Sequence, residues 1–429
     1  MIKKIKKTKK KFNRYISNTL KEKRANLLSD DFLDVIEKLK EILKKKIKKN
    51  KEIEKQLEDI STSYLFYLYY LKKTVDYYSE SENFINMIGK KCSIKNKHLF
   101  YEKIQKSIEY CKNVYKTDIN DTNWILKDVV SYDLKDIEGY YKSKKTNNDY
   151  MHYESYNPRY AIILNHTMNC IFITIRGTKS ILDAIADLNC DNIRKFGGYV
   201  HSGFFFAADA LFKKIKDDIM FLLKNQYKDY TVCITGHSFA GATATLLSIL
   251  VKKEFEKNKI KNKIEVFSFG PGPVFYPISK FPSEGIELNT FVNNADLIPR
   301  ISIKNIFKLL HILIKVRVYI KNNNINKLAT IYNLKTKNYN EESLVLFDNI
   351  LKIINENQST NIDEKDIQIP GNIYLLTTRL KTKKFQLRKI ESTELSNPVL
   401  YAGKNFLDDH KIDSYKFNFN NLEMKKIKS

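Results

Sequence analysis

Glycine is scarce in this chain, at 13 of 429 residues, and none occurs before Gly89. A long glycine-free stretch suits long helices, because glycine in a helix interior costs more backbone entropy than any side-chain-bearing residue. Cysteine is scarce too. The five (Cys92, Cys111, Cys170, Cys190 and Cys233) are scattered, with no C-x-x-C spacing. That excludes a recognisable zinc site or disulfide framework and leaves a reducing, cytoplasmic setting as the default expectation. No run reaches the roughly 18 apolar residues that a membrane-spanning helix needs. The longest, Tyr64–Leu71, stops at Lys72 and Lys73. The first residues are basic but lack the apolar core of a signal peptide, so neither a signal peptide nor a transmembrane helix is expected.

Acid is short as well: 49 Asp and Glu face 75 Lys and Arg, a net charge of +26. Such an excess suits an anionic membrane surface or nucleic acid. It also suits simple codon drift in an AT-rich genome, where Lys, Asn and Ile rise together. No nucleic-acid-binding motif accompanies the charge, so nucleic acid is not an expected partner. What is plentiful is core material, with 43% hydrophobic and 12% aromatic residues, which excludes a wholly disordered chain. The charge is densest in residues 1–24, where eleven basic residues meet one acid.

Along the chain the texture changes once. Phe32, Val35, Ile36, Leu39, Ile42 and Leu43 recur at helical spacing among Lys and Glu, so residues 30–78 read as one or two amphipathic helices. From about Trp124 short β-branched runs take over. Arg159–Leu164 and Cys170–Ile175, split by a polar turn, read as a hairpin. Thr231–Thr235, Ile264–Phe269, Leu288–Val292, Ile373–Leu376 and Phe385–Ile390 read as strands, with helices over Phe204–Lys224 and Ala240–Lys257 between them. Strands alternating with helices argue for an α/β sheet with parallel crossovers. The expected organisation is a basic, mostly helical region over residues 1–120 and an α/β domain over 121–429. A polar, Asn- and Lys-rich insertion is expected at about 318–370, disordered or loosely helical around Leu344–Ile354. No internal repeat is present.

The strongest chemical signal is Gly236-His237-Ser238-Phe239-Ala240-Gly241, between an apolar strand and an Ala/Thr/Leu-rich helix. A nucleophile elbow needs small residues on both sides of its serine, because the strained turn brings neighbouring backbones together. Ala240 stands where the strict G-x-S-x-G pattern has glycine, a departure of one methyl; an ordinary tight turn is the plainer alternative. A serine needs a general base oriented by a carboxylate, and in this fold type the chain order is Ser, acid, His. Only His311 and His410 follow Ser238. His311 sits in an apolar segment, as a core histidine would, so His410 is the expected base. Asp296, just after a strand, is the expected acid, a turn or N-cap aspartate being the alternative. Asp408 and Asp409, adjacent to His410, are poorly placed to meet its outer nitrogen. The backbone N–H groups of Phe239 and of Thr178, in Arg176-Gly177-Thr178, are the expected oxyanion donors.

With these blocks in order, the sequence resembles the class 3 lipases of the α/β-hydrolase fold from about Trp124 onward. Gly-His-Ser-x-Ala-Gly-Ala-Thr-Ala and Asp296-Leu-Ile-Pro-Arg-Ile-Ser look most like the eukaryotic sn-1-specific diacylglycerol lipases, which often carry an insertion between acid and histidine. The membrane-spanning bundle of that group's animal members has no counterpart here. The resemblance implies an α/β-hydrolase fold with a mostly parallel central sheet, here preceded by an N-terminal helical region. It also implies a serine esterase acting on acylglycerol, most of all diacylglycerol, or on phospholipid as a phospholipase A1 or lysophospholipase. A peripheral position on an anionic membrane surface follows, with no metal and no organic cofactor. A catalytically silent hydrolase-fold membrane-binding module is the alternative from outside enzymology. By the same resemblance Ser180 to about Cys190 is a lid, with Ile181, Leu182, Ile185 and Leu188 on its apolar face, the alternative being a plain structural helix. The oligomeric state is left open.

Overall fold

The computed structural model of the chain describes residues 89–92, 98–115, 129–133, 158–178, 191–325, 339–356, 365, 367–378, 385–395 and 407–422, with isolated positions between 67 and 78. The helices expected over residues 30–78 and the lid residues Ile181, Leu182, Ile185 and Leu188 therefore lie essentially outside the described residues. The chain divides into two compact units, residues 75–308 with 358–429 and residues 1–74 with 309–357.

The larger unit is built on a nine-stranded sheet. Its strands are β1 (Lys90–Cys92), β2 (Val129–Asp133), β3 (Tyr160–Asn165), β4 (Cys170–Ile175), β7 (Thr231–His237), β8 (Ile264–Phe269), β10 (Ile286–Asn293), β11 (Asn372–Thr378) and β12 (Phe385–Ile390). The order is β1-β12-β11-β10-β8-β7-β4-β3-β2. The five central strands β4, β7, β8, β10 and β11 are parallel, while the pairings outside them are antiparallel. The hairpin read from the sequence is β3–β4, with Tyr160 opposite Ile175 and Asn165 opposite Cys170. A small three-stranded sheet of β5 (Asn192–Lys195), β6 (Gly198–His201) and β9 (Phe275–Tyr276) lies beside it in sequence.

The central strands are continuous apolar runs because both faces are covered. Along β4, Ile171, Ile173 and Ile175 join one core while Cys170 and Phe172 join the other; along β7, Val232 and Ile234 part from Cys233 in the same way. The first core packs on helices α2 (Ser202–Asn225) and α3 (Phe239–Lys257). Helix α2 faces it with Phe204, Ala208, Leu211, Ile215, Ile219 and Leu222, the three- and four-residue spacing of one helical face. Each such large aliphatic side chain, fully buried, contributes about 1.5–3 kcal/mol. The opposite core packs on α1 (His98–Asn113) and, near the C-terminus, α7 (Ile412–Asn420). Two elements upstream of residue 121, β1 and α1, thus belong to this sheet and its covering layer. A five-stranded parallel centre sandwiched by helices, with a serine turn after β7, is the α/β-hydrolase architecture.

Further along the chain lie α4 (Ile303–Asn322), α5 (Glu341–Glu356) and the short α6 (Ser392–Leu395). Helix α5 occupies the stretch read as a polar insertion. Asn340 caps its N-terminus by accepting the Ser343 amide at 3.0 Å, and Leu346, Phe347, Ile350 and Ile354 form its buried stripe. Among the described residues no helix is long and apolar enough to cross a membrane.

Candidate active site

Ser238 stands between the end of β7 and the start of α3 with φ +60° and ψ −127°. A non-glycine residue holds such a conformation only where its surroundings over-determine it. They do so through close backbone packing. A Cβ on Gly236 would lie 2.4 Å from the Ala240 carbonyl group, and one on Gly241 would lie 2.5 Å from Ser268 Oγ. Glycine is therefore needed at 236 and 241, whereas the Ala240 methyl drops into the core beneath α3. That is why the departure from the strict elbow pattern is accommodated. The Ser238 amide also donates to the Phe269 carbonyl at 2.9 Å, tying the turn to β8.

The fold brings Asp296 and His410 to this turn from 58 and 172 residues away in sequence. Asp296 follows the C-terminal end of β10, in the loop where a parallel strand delivers functional groups. His410 closes a turn before α7. His410 Nε2 lies 2.9 Å from Ser238 Oγ, and its Nδ1 lies 2.9 Å from Asp296 Oδ1. Nδ1 therefore carries the ring proton toward the carboxylate, and Nε2 accepts from the serine hydroxyl. All three side chains are buried, Asp296 completely. Burial by itself raises the Asp296 carboxyl. The His410 imidazole, the Tyr415 hydroxyl and the Arg300 guanidinium together outweigh that and bring it below the ordinary aspartate value.

Around this trio lies a shell to which sequence reasoning gave no role. Tyr415, on α7, donates its hydroxyl to Asp296 Oδ2 at 2.6 Å and accepts the Asn293 amide at 3.0 Å. Arg300, fully buried, donates to the carbonyls of Asp296 and Asn294, and its own carbonyl accepts from Asn305 at 2.9 Å. Gly270, at φ +54°, presses its backbone onto the acid, so that a Cβ there would sit 2.4 Å from Asp296 Oδ2. Asp409 does not approach the imidazole. It accepts from the Ala295 amide at 3.2 Å and the Asn294 side chain at 3.4 Å, clasping the acid loop to the base loop. Burial pushes its carboxyl up to about 6. Arg300 stands in the Asp296-Leu-Ile-Pro-Arg block already read from the sequence, though with no role given to it; no spacing rule marks Tyr415, and only its proximity to His410 could have hinted at it.

Of the two expected oxyanion donors, Phe239 follows the serine as the first residue of α3, and Thr178 lies half-buried in the loop after β4. Strands β4 and β7 are adjacent and parallel, with Ile175 opposite Gly236, so both loops leave the sheet at one end. His311 lies on α4, half-buried. Among the described residues no group of three His, Cys, Asp or Glu could hold a metal ion.

A buried serine on a strand–turn–helix elbow, hydrogen-bonded to a histidine that is hydrogen-bonded to a carboxylate, within a helix-covered parallel sheet, defines the class: an α/β-hydrolase-fold protein with a Ser–His–Asp constellation. Within it, residues 172–306 match the family described as Lipase (class 3). Mouse diacylglycerol lipase-beta is 22% identical over 172 residues, which are 38% of this chain and 25% of that protein. Human diacylglycerol lipase-alpha is 25% identical over 165 residues, 35% of this chain and 15% of that protein. A lipase from Rhizomucor miehei is 31% identical over 136 residues, 30% of this chain and 37% of that protein. The matches thus span a quarter or less of the length of the two diacylglycerol lipases. Among solved structures, the Rhizomucor miehei lipase propeptide complex aligns with a TM-score of 0.46 and 18% identity, over 75% of this chain and 81% of that one.

Proposed function

We propose that the chain is a serine carboxylic ester hydrolase that cleaves fatty-acyl esters of acylglycerols, diacylglycerol foremost, at an anionic membrane surface. The observation that carries the reading is the continuous hydrogen-bonded series from Ser238 through His410 to buried Asp296. In this reading Ser238 Oγ attacks the ester carbonyl while His410 Nε2 takes its proton, and Asp296 holds the tautomer and stabilises the imidazolium. The oxyanion of the tetrahedral intermediate accepts from the Phe239 and Thr178 amides. Collapse expels the glycerol oxygen, which takes the proton from His410, and leaves an acyl ester on Ser238. Water, deprotonated by His410, then attacks that ester and releases the fatty acid and the free serine. The order of chemistry requires no metal or organic cofactor.

Preference for diacylglycerol is supported by the motif likeness around Ser238 and Asp296 and by the diacylglycerol lipases among the relatives. The membrane surface is supported by the charge of residues 1–24, each basic residue adding about 1 kcal/mol near anionic lipid. The reading is tested by purified protein and its Ser238→Ala variant. A fluorophosphonate probe should label the first and not the second, and vesicle-borne diacylglycerol should be hydrolysed only by the first. Preferential turnover of phospholipid would reassign the substrate. Absence of both labelling and turnover in folded protein, vesicles present, would make the chain a silent binding module.

A further inference from the structure

Behind the base lies a second histidine that the ester chemistry leaves unused. His237 precedes Ser238 and is buried, its ring 4.7 Å from that of His410 and tilted by 35°. Its Nε2 lies 2.6 Å from the His410 main-chain carbonyl, and its Nδ1 lies 3.3 Å from the Tyr115 hydroxyl. A carbonyl only accepts, so Nε2 carries the ring hydrogen and Nδ1 must accept from Tyr115. The Tyr115 oxygen in turn packs against the backbone of Gly177, the residue before Thr178. Gly177 is there for a steric reason: a Cβ would lie 2.5 Å from both Tyr115 Oη and the His237 carbonyl. The result is a one-way series of donors from Tyr115 to His237 to the main chain of His410, with Gly177 packed tightly on the Tyr115 oxygen at its head.

We infer that Tyr115 and His237 are positioning residues that gauge the oxyanion loop against the base, setting the height of His410 over Ser238 at the same time as the seat of Thr178. The inference rests on the hydrolase reading above and deepens it. The series keeps its sense across the working pH range. Burial, then the neighbouring His410, push His237 down to about 3, so the ring is neutral and its tautomer constant. Burial raises the Tyr115 phenol, which stays protonated. The groups facing His237 are Tyr115 from the turn after α1, His410 and Asp296 from the two loops and Tyr415 from α7, with Arg176 over the Tyr115 ring at 5.6 Å. None of them supplies a second donor for the His410 carbonyl in place of His237.

The test uses the full chain and a soluble short-chain ester, with turnover expressed per fluorophosphonate-titrated serine. Tyr115→Phe, the loss of one oxygen, should lower kcat about tenfold with KM moved less than about twofold, since the lost interaction orients the reacting groups and not the substrate. His237→Leu should lower kcat about a hundredfold, and His237→Gln, whose amide can still donate to the His410 carbonyl, should recover part of it. The double variant Tyr115→Phe/His237→Leu should be no worse than His237→Leu alone, because the series is already broken. The acid limb of kcat/KM should move to lower pH in His237→Leu, as a misseated His410 loses part of the support of Asp296 for its cation. A merely structural role would reduce the titratable fraction and leave kcat per site, the pH limb and the non-additivity untouched; that result overturns the inference. Should His237→Leu not fold, Tyr115→Phe decides alone. Failure of the wild type to label or turn over counts against the hydrolase reading itself and removes the inference with it.

Discussion

Gly270→Ala perturbs the acid–base pair without replacing either of its side chains. Two effects add. The residue sits at φ +54°, where an alanine pays about 1–2 kcal/mol for the left-handed conformation. Its new Cβ would also lie 2.4 Å from Asp296 Oδ2, 2.8 Å from Tyr415 Oη and 3.3 Å from His410 Nδ1, where real Cβ contacts essentially never fall under 3.0 Å. The carboxylate must therefore retreat by about 0.6 Å or more, and Gly270 cannot easily retreat instead, since its amide is bonded to the Phe291 carbonyl at 2.9 Å. A displacement approaching 1 Å within a catalytic constellation costs up to about 100-fold in rate. The expected outcome is a kcat lowered about 10- to 100-fold on a soluble ester with KM little changed, and a protein destabilised by about 2 kcal/mol. Turnover per titrated serine and urea unfolding measure the two separately. A folded variant with kcat within about twofold of wild type would refute the role given to Asp296 and the tight seat given to it by Gly270.

Other perturbations follow from the same contacts. Tyr415→Phe removes a hydrogen bond to a buried carboxylate, so unfolding should cost about 1.5–3 kcal/mol less at neutral pH. Because Tyr415 helps hold Asp296 below its ordinary value, the stability that Asp296 contributes is present above that value and is lost as pH falls through the folded one. In the variant this acid loss should be smaller and complete at a higher pH, and melting curves taken downward from pH 7 test it. Asp409 works in the opposite sense: folded, it takes up its proton below about 6, and unfolded only below its ordinary 3.8. Stability should then fall as pH rises through that window, by up to about 3 kcal/mol, and Asp409→Asn should flatten the fall; equal slopes in the two proteins would contradict this. Far from the serine, Lys103 and Glu265 form a buried ion pair at 2.8 Å between α1 and β8. Lys103→Met should destabilise by about 3 kcal/mol, with turnover per titrated serine unchanged, and a change in that turnover would show the pair reaching the site.

How much was legible beforehand follows from the range over which each cause acts. The β-branched runs, the helical spacing of α2 and the small residues around Ser238 are local causes, and the hairpin, the parallel strands and the elbow could be read from them directly. Asp296 and His410 were legible more narrowly, through chain order and the loop after a strand. Asp409 illustrates the boundary: adjacency to His410 rightly argued that it does not orient the imidazole, yet its bonds to Ala295 and Asn294 depend on two loops meeting. Strand β1 and helix α1 were missed as parts of the sheet layer because a three-residue edge strand and a charged amphipathic helix carry no period that distinguishes them from their surroundings.

The sequence by itself determined the elbow, because the need for glycine at 236 and 241 and for an apolar strand before Ser238 is set by neighbours a few residues away. It also determined that two faces of the sheet would be covered, since strands apolar at every position have no face left for water. Tertiary structure alone decided which groups hold the acid and the base. Tyr415 and Gly270 reach Asp296, and Tyr115 and His237 reach the main chain of His410, across gaps of up to 295 residues that no period or spacing encodes. Hydrogen bonds of this kind are fixed by where the chain's backbone passes once both cores have packed, so they become visible only when the fold is complete.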